Sequence, residues 1–331
     1  MNTVRRVFDA SRAGQKIVAN IYSPTTSTNT ATSKRVTLLL AHANGFHKEL
    51  WEPTLARLFA NMDDRPWIVD QAIALDGYNH GDSARMNRDS ISDEHESPWF
   101  LNARDILAVI KQLNGGNAVG SQSVVGIGHS WGAASLLLAE IIEPSTFSAL
   151  IATDPVLFTR PIRNDRLREM TMKRRCEWPD HRAARDYFVP HAFFGQWDRR
   201  ILDLHMQYGL EEEPTVIGGG GGGGDEKKLV LKCRPQNEAA VFAGAFHASP
   251  FAADNLWKIQ CPVTFLTGET SLLCPPGHIE SITKGVRDCQ HIVMSGVGHL
   301  LVHEDPDRTA DHYLKILDSF APKIKTLAAN L

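Results

Sequence analysis

The amino-acid sequence, 331 residues long, has no long run of apolar residues. It nowhere places together the roughly 18 apolar residues that a membrane-spanning helix needs. The N-terminal stretch MNTVRRVFDASRAGQKIVANIY is not followed by the apolar segment of a secretory signal peptide. The sequence therefore predicts a protein that is neither exported through the Sec pathway nor membrane-spanning.

Cysteine is scarce and shows no paired spacing. The five cysteines are an odd number, and none of them form a CxxC pattern. The number and spacing of the cysteines therefore indicate neither a disulfide framework nor a zinc site, so we expect a reducing compartment and no metal.

The chain also lacks a surplus of charge. Its formal net charge is −3 at pH 7, whereas proteins that bind nucleic acid depend on clustered Lys and Arg. With 43% hydrophobic and 22% charged residues, the composition is typical of an ordinary soluble globular protein. Nucleic acid is therefore not an expected partner.

Short apolar runs alternate with longer helix-like segments along most of the chain. The helix-like segments include residues 100–113 and 134–142, and a Ser/Thr-rich stretch at 23–34 connects early strands. The apolar runs are VTLLLAH (36–42), WIVD (67–70), SVVGIGH (123–129), ALIATD (149–154), PVTFLTG (262–268) and HIVM (291–294). Strands read as continuous apolar runs when helices cover both faces of a sheet, so we predict a mostly parallel, doubly wound α/β sheet.

This pattern is interrupted after the fourth of these runs. Residues 156–250 contain aromatic and basic helix-like segments and no buried parallel strand, and the sheet pattern resumes at Cys261. We therefore predict a core formed by residues 1–155 and 251–331, with residues 156–250 inserted as a helical cap.

The predicted cap contains seven consecutive glycines at 218–224. Glycine loses the most backbone entropy on ordering and offers no side chain to pack, so this tract is interpreted as a mobile loop. A phosphate-binding loop would need a strand before it and a Lys-Ser/Thr helix start after it, and both are missing.

The pentapeptide GHSWG, residues 128–132, fits the pattern G-x-S-x-G. In that pattern a sharp strand-to-helix turn exposes the serine hydroxyl above the sheet, and an apolar strand must precede it and a helix must follow. SVVGI and AASLLLAEII meet both requirements. We therefore interpret Ser130 as a nucleophile, the alternative being a structural serine at the start of a helix.

A serine nucleophile needs a base, and the sequence offers fourteen histidines. His299 lies in SGVGHLLVHEDPD, after the last apolar run and before a C-terminal helical segment, which is where the base of a Ser-Asp-His triad is expected. His303, four residues later, is the weaker candidate because it suits a helix entry.

The base needs an acid, for which two positions are open. In the commonest arrangement the acid follows the penultimate strand, where the chain reads TGETSLLCPP with Ser271 at the expected position and Glu269 nearby. The other position is the end of the strand after the nucleophile helix, where the chain reads ALIATDPV. We prefer Asp154 there, and this choice preserves the order Ser, Asp, His. The alternatives are Glu269 as the acid and Asp154 as a structural cap of the next segment.

Acyl transfer also needs donors for the developing oxyanion. The backbone N–H of Trp131 is one, and the second is expected from the loop His42-Ala43-Asn44-Gly45-Phe46, with Asn44 donating through its backbone. The segment NHGDS at 79–83 is interpreted as a tight structural turn without a chemical role.

Taken together, HANG (42–45), VDQ (69–71) with NHGDSA (79–84), GHSWG and GVGH (296–299) resemble the α/β-hydrolase superfamily over nearly the whole chain outside the glycine tract. Further features are similar to fungal peroxisomal members, which include a yeast lipase, the acyl-CoA hydrolase of mycophenolic acid biosynthesis and hydrolases of Alternaria toxin pathways. These features are ARDIL (103–107), VLKC (230–233), NEAAVF (237–242) and CPP (274–276).

The resemblance implies an α/β-hydrolase fold with an eight-stranded type of sheet and a cap inserted after the sixth strand. It also implies a Ser-Asp-His hydrolase whose acid follows the strand after the nucleophile, which agrees with Asp154. The stretch AIALDGY (72–78) is interpreted as an insertion relative to these proteins.

A peroxisomal address is a receptor-read C-terminal tripeptide of the S-K-L type. Ala329-Asn330-Leu331 matches it imperfectly, because Asn330 is not basic. We expect a peroxisomal protein that meets an import receptor through this tripeptide, the alternative being the cytoplasm.

The substrate is expected to be a small acyl compound. Residues 160–185 carry nine Arg or Lys against four Asp or Glu, which is either a solvated helix face or a surface for an anionic group such as the phosphates of coenzyme A. Nearby aromatic residues form either an acyl pocket or the core of the cap itself. They are Trp178, Tyr187, Phe188, Phe193, Phe194 and Trp197.

The sequence thus predicts a serine hydrolase of acyl esters or thioesters that works through an acyl-enzyme and needs no cofactor. Related enzymes that open epoxides or remove halides carry Asp at the position of Ser130, on the turn between strand and helix, so those activities are disfavoured. Two alternatives remain: a lyase or cyclase of the same fold, and a non-catalytic binding protein.

Overall fold

The structure is a computed structural model that describes residues 1–25, 34–91, 97–113, 123–215, 227–321 and 323. Three predicted features lie outside these residues: the glycine loop at 218–224, most of the polar connection at 23–34, and the C-terminal tripeptide at 329–331.

An eight-stranded sheet forms the centre of the molecule, with the strand order β1-β2-β4-β3-β5-β6-β10-β11. The pairs β1-β2 and β2-β4 are antiparallel, and every other pair in this sheet is parallel. Its strands are β1 (Asn2–Asp9), β2 (Lys16–Ser23), β3 (Lys34–Ala41), β4 (Trp67–Leu75), β5 (Val124–His129), β6 (Ala149–Thr153), β10 (Val263–Gly268) and β11 (Cys289–Met294). The mostly parallel sheet expected from the apolar runs is confirmed.

Helices cover both faces of this sheet. The α-helices of the described residues, including those outside the central sheet, are in chain order α1 (Glu52–Ala60), α2 (Gly81–Met86), α3 (Pro98–Leu113), α4 (Trp131–Ile142), α5 (Asp165–Lys173), α6 (His181–Phe188), α7 (Arg199–Tyr208), α8 (Pro235–Asn255), α9 (His278–Ile282), α10 (Leu301–Glu304) and α11 (Pro306–Phe320). Successive side chains of a strand point to opposite faces, so Leu39 packs in a core with α3 and α4, whereas Leu40 packs in a second core with α1 and α11. Burial on both faces explains why the central strands are continuously apolar.

Two parts of the sheet differ from the sequence analysis. β1 is an edge strand with Phe8 as its buried residue, so it lacks the continuous apolar run from which the central strands are predicted. Residues 72–75, the start of the stretch interpreted as an insertion, continue β4 and pair with both β2 and β3. That stretch therefore begins inside the sheet.

The chain leaves the sheet after β6, the sixth strand, and returns to it at β10. Between them lie helices α5 to α7 and a three-stranded antiparallel sheet, formed by β7 (Glu177–Trp178), β8 (Leu210–Pro214) and β9 (Lys227–Leu231) in the order β7-β9-β8. The sequence analysis anticipates the helices but not this small sheet. Helix α8 crosses the boundary expected at residue 250, so the division into core and cap remains a prediction; we use cap below for residues 156–250.

Among the described residues, no helix is both long enough and apolar enough to span a membrane.

Candidate active site

The turn between β5 and α4 holds Ser130 in an unusual backbone conformation. Its φ is 56° and its ψ is −116°, and its N–H donates to Thr153 O at 2.9 Å. A Cβ on Gly128 would lie 2.4 Å from Ala133 Cα, and one on Gly132 would lie 2.3 Å from Ala41 O. No side chain fits at either glycine, which is why the G-x-S-x-G spacing permits this tight turn.

His299 connects Ser130 to Asp154. The Ser130 hydroxyl donates to His299 Nε2 at 2.9 Å, and His299 Nδ1 donates to Asp154 Oδ1 at 2.7 Å. Asp154 follows β6 with a φ of 41° and is fully buried, whereas the His299 side chain is 25% exposed. The structure thus brings the three predicted triad residues into one hydrogen-bonded chain.

Asp154 accepts two further hydrogen bonds. The backbone N–H of Gly268 donates to Oδ2 at 2.9 Å, and the Ser271 hydroxyl donates to Oδ1 at 2.7 Å. These two donors fix the orientation of the Asp154 carboxyl group. Ser271 occupies the position at which the sequence analysis expects an acid, and it reaches the acid on the neighbouring loop.

The two alternative triad residues lie elsewhere. Glu269 is exposed, and its Oε2 accepts the backbone N–H of Gly296 at 2.8 Å. His303 is buried between aromatic rings, with ring centroids 4.7 Å from both Phe46 and Trp197. Within the described residues, neither is hydrogen-bonded to Ser130.

His129, inside the pentapeptide, supports the loop that carries the base. Its Nε2 donates to the backbone oxygen of His299 at 2.8 Å. Burial lowers the pKa of His129 to about 3, so the ring stays neutral at physiological pH and acts as a fixed donor. The sequence analysis gives this histidine no role, and only its place beside the nucleophile could have indicated one.

The predicted oxyanion donors lie at the start of α4 and in the loop after β3. Trp131 is the first residue of α4, so its backbone N–H has no acceptor within the helix. Gly132 packs directly on Ala41 O and His42 O, which places the start of α4 against the loop that contains Asn44. The Asn44 side chain donates to Glu238 O at 3.1 Å, which anchors this loop to α8.

The turn NHGDS holds that loop in place. The Gly45 N–H donates to His80 Nε2 at 2.9 Å. Because Nε2 accepts this bond, the single ring proton of His80 lies on Nδ1, which donates to Asn79 Oδ1 at 2.8 Å. Burial lowers the pKa of His80 and keeps the ring neutral. From the sequence this turn is predicted to be purely structural. In the structure it also supports the predicted oxyanion loop through the hydrogen bond between Gly45 and His80.

A buried ion-pair cluster follows the same loop. Lys48 Nζ contacts Asp76 at 2.8 Å, Glu49 at 2.7 Å and Asp82 at 2.9 Å, and the Lys48 side chain is only 1% exposed. Burial alone lowers the pKa of Lys48, but the three carboxylates outweigh it and the net pKa is raised. The charged lysine therefore links the loop after β3 to the turn before α2.

One cationic residue of the cap reaches the site. Arg174 forms an ion pair with Glu238 on α8, with Nη1 at 3.1 Å from Oε1. The Glu238 carboxylate lies against Gly45, since a Cβ there would be 2.9 Å from the carboxylate carbon. Arg174 thus neutralises a buried carboxylate beside the predicted oxyanion loop.

The aromatic residues of the cap divide into two groups. Trp178 and Phe188 are buried in the core of the cap itself, with Tyr187 packed on them. Trp197 instead contacts Phe46 of the core at a ring centroid distance of 5.2 Å. Most of this set therefore stabilises the cap and its contact with the core.

Across the described ranges, no group of three or more His, Cys, Asp or Glu side chains is placed to hold a metal ion.

Comparison with known proteins agrees with this geometry. Residues 38–312 match the alpha/beta hydrolase family. The chain is 26% identical over 288 residues to a peroxisomal membrane protein of Saccharomyces cerevisiae, covering 83% of this chain and 73% of that protein. It is 25% identical over 190 residues to a type I acyl-CoA thioesterase of Penicillium roqueforti, covering 54% of this chain and 41% of the thioesterase. It is also 27% identical over 94 residues to an abhydrolase domain-containing protein of Alternaria alternata, 28% of this chain and 35% of that protein.

A solved structure extends the likeness to the whole fold. The peroxisomal alpha-beta-hydrolase of Saccharomyces cerevisiae superposes with a TM-score of 0.81 at 22% identity, covering 99% of this chain and 90% of that one.

Proposed function

Because the chain belongs to the alpha/beta hydrolase family, we propose that it is a serine hydrolase that cleaves acyl esters or thioesters through a covalent acyl-enzyme. The observation that carries the proposal is the hydrogen-bonded chain from Ser130 through His299 to Asp154, with the serine on a turn at positive φ. Structural serines have no need of such a base and acid.

The reaction proceeds in two halves. Ser130 Oγ attacks the carbonyl carbon of the substrate while His299 Nε2 takes the hydroxyl proton, and the buried Asp154 stabilises the imidazolium that forms. His299 then gives this proton to the departing alcohol or thiol, which leaves the acyl group on Ser130. A water molecule, activated by His299, releases the acid and restores the serine.

The oxyanion of each tetrahedral intermediate is stabilised by the backbone N–H groups of Trp131 and Asn44. His80 supports this role, because its hydrogen bond to Gly45 holds the loop in place before substrate binds. Donors fixed in advance need no reorganisation as charge develops, and this is what makes such a site effective.

The first experiment is labelling by a fluorophosphonate, which reacts with activated serines. We expect the wild type to be labelled and Ser130→Ala to be unlabelled. Ser135→Ala is the matched control, since Ser135 lies one turn further along α4 and donates to Trp131 O. Labelling of Ser130→Ala at the wild-type rate would rule out Ser130 as the nucleophile.

Substrate class is tested by thiol release from a panel of acyl-CoAs run beside p-nitrophenyl ester cleavage. The Penicillium relative is named as an acyl-CoA thioesterase, which supports thioesters as the preferred class. Turnover of acyl-CoAs that Ser130→Ala abolishes is the expected result. Cleavage of simple esters alone would identify an esterase or lipase, and an inert wild type would favour a lyase, a cyclase or a binding protein.

We also propose a peroxisomal location, supported by the name of the yeast relative, which is the same protein in the sequence and the structure comparison. The tripeptide Ala329-Asn330-Leu331 lies outside the described residues, and its role as an import signal stays a prediction. Removing it from a fluorescent fusion is expected to shift the protein from peroxisomes to the cytoplasm. A fusion that stays peroxisomal would contradict the role of the tripeptide, and a full-length fusion in the cytoplasm would contradict the location.

A further inference from the structure

A cavity of about 210 Å³ lies between the core and the cap, beside α2 and the ends of β8 and β9. One water needs roughly 10–15 Å³, so the cavity has room for a phosphate group and its solvent. Four of its lining side chains are cationic and one is anionic. The cations are Arg85, Arg88, Lys232 and Arg234, and the anion is Glu211.

The arginines of this pocket share too few carboxylates. Arg88 contacts Glu211 at 2.6 Å and Glu213 at 3.0 Å, Arg234 also contacts Glu213, and Arg85 lies 3.8 Å from Glu211. Among the residues that the structure describes, two carboxylates therefore hold three guanidinium groups in place, and one positive charge has no counterion.

Lys232 adds a fourth cation to the lining, and this cation is paired with a carboxylate. Its Nζ lies 2.7 Å from Asp82, while Lys48, which contacts Asp82 at 2.9 Å, is also paired with Asp76 and Glu49. The Lys232 side chain is only 12% exposed, so water screens this charge poorly. The pocket as a whole therefore attracts anions.

The pocket adjoins the candidate active site. Asn237 lines it, and the next residue, Glu238, accepts the Asn44 side chain through its backbone oxygen. A second cavity of about 10 Å³ shares Lys232 with the first and is lined by Gly45 and Phe46. Lys232 therefore connects the lining of the basic pocket to that of the small cavity beside the predicted oxyanion loop.

We propose that this basic pocket binds the phosphate groups of the substrate's leaving group, which in an acyl-CoA is the phosphorylated adenosine end of the thiol carrier. The inference rests on the proposed function, because phosphates reach this pocket as part of the substrate only if the substrate is a thioester of that kind. Guanidinium groups suit the task, since they bind phosphate oxygens through paired, charge-assisted hydrogen bonds. None of the four cations belongs to the basic run at 160–185.

The test measures binding of adenosine 3′,5′-bisphosphate by titration calorimetry. We expect Arg85→Gln/Arg88→Gln to weaken binding by about tenfold or more, the effect of losing charge-assisted hydrogen bonds. Arg185→Gln/Arg199→Gln is the matched control, because these cap arginines are 57% and 49% exposed, against 66% and 50% for Arg85 and Arg88. No binding to the wild type, or equal weakening in both double variants, would overturn the proposal.

A third variant changes affinity in the opposite direction. Glu211→Gln removes a carboxylate that competes with phosphate for Arg88, so it is expected to tighten binding of the bisphosphate several-fold. Weaker binding in Glu211→Gln would mean that the arginines serve only the contact between cap and core, and the proposal would fail.

Competition kinetics separate this inference from the proposed function. The bisphosphate is expected to inhibit acyl-CoA hydrolysis competitively, and Arg85→Gln/Arg88→Gln to raise the KM for acyl-CoA relative to that for a p-nitrophenyl ester. Hydrolysis of acyl-CoA without competition would refute the phosphate pocket and keep the proposed function. Binding of the bisphosphate without any acyl-CoA or ester hydrolysis would refute both, leaving a site for an unrelated anion.

Discussion

Replacing Asp154 with asparagine tests the acid of the proposed triad. The backbone N–H of Gly268 donates to Oδ2 and cannot turn away, so the amide oxygen of the new side chain is required to face it. The amide NH₂ group of the variant Asp154→Asn then takes the place of Oδ1, 2.7 Å from His299 Nδ1. A donor at that position favours the imidazole tautomer with its proton on Nε2. That nitrogen faces Ser130 and can no longer accept the hydroxyl proton.

The expected loss follows from this wrong tautomer. The analogous change in serine proteases lowers kcat on the order of 10⁴-fold, which corresponds to about 5 kcal/mol of transition-state stabilisation. The Ser271 hydroxyl can rotate to accept from the new NH₂ group, so the fold is expected to persist. The assay is kcat/KM for an acyl-CoA and a p-nitrophenyl ester, with thermal unfolding measured beside it.

The matched control is Glu269→Gln, which alters the other carboxylate considered for this role. Because Glu269 is exposed and accepts from Gly296 N–H, we expect its activity to stay within about threefold of the wild type. An Asp154→Asn variant that stays within about tenfold of wild-type activity would refute the reasoning, and so would a large loss in Glu269→Gln.

Three further predictions concern residues around the triad. Ser271→Ala removes a hydrogen bond to the Asp154 carboxylate, so steady-state kinetics should show kcat reduced about tenfold and KM unchanged. Ser271→Thr keeps the hydroxyl and is expected to restore kcat. A change in KM alone would contradict this role of Ser271. Gly132→Ala places a Cβ 2.3 Å from Ala41 O, so kcat/KM is expected to fall about a hundredfold or more and Tm to decrease. Wild-type activity with an unchanged Tm would contradict this prediction. Burial lowers the pKa of His205 in the folded state. Below about pH 6.5 the histidine therefore takes up a proton in the unfolded state but not in the folded state. The free energy of unfolding then falls by up to about 1.4 kcal/mol for each unit by which the pH decreases. Urea unfolding between pH 7 and 5.5 should show a shallower fall for His205→Phe, and equal slopes in both proteins would contradict it.

The sequence predicts the parts of this molecule in which one local segment decides the geometry. The elbow at Ser130 needs only an apolar strand, two glycines and a helix, all within residues 123–142. The central strands are equally local, because burial on both faces makes them continuously apolar. Asp154 and His299 are each predicted from their place at the end of a strand, with Glu269 left as the alternative acid, and the structure joins Asp154 to His299 and His299 to Ser130.

Features that depend on distant partners could not be predicted in this way. Strand β8, with the sequence LEEEP, is not apolar, and it becomes a strand by pairing with β9. Ser271 acquires its contact because β6 and β10 are neighbours in the sheet, which places it beside Asp154, 117 positions earlier in the chain. His80 likewise supports Gly45 across two loops. In each case the partner is set by sheet order rather than by the nearby sequence.

The contact between Ser271 and Asp154 has a consequence for how such enzymes diverge. The two side chains lie 2.7 Å apart, so a carboxylate at position 271 would approach the same imidazole from the neighbouring loop. A lineage that first gained Asp at 271 would carry two acids sharing one proton, an arrangement that proteins tolerate. It could then lose the acid at 154 without passing through an inactive ancestor. Two positions, each at the end of one of two neighbouring strands of this sheet, are therefore close enough to supply the acid to a single base.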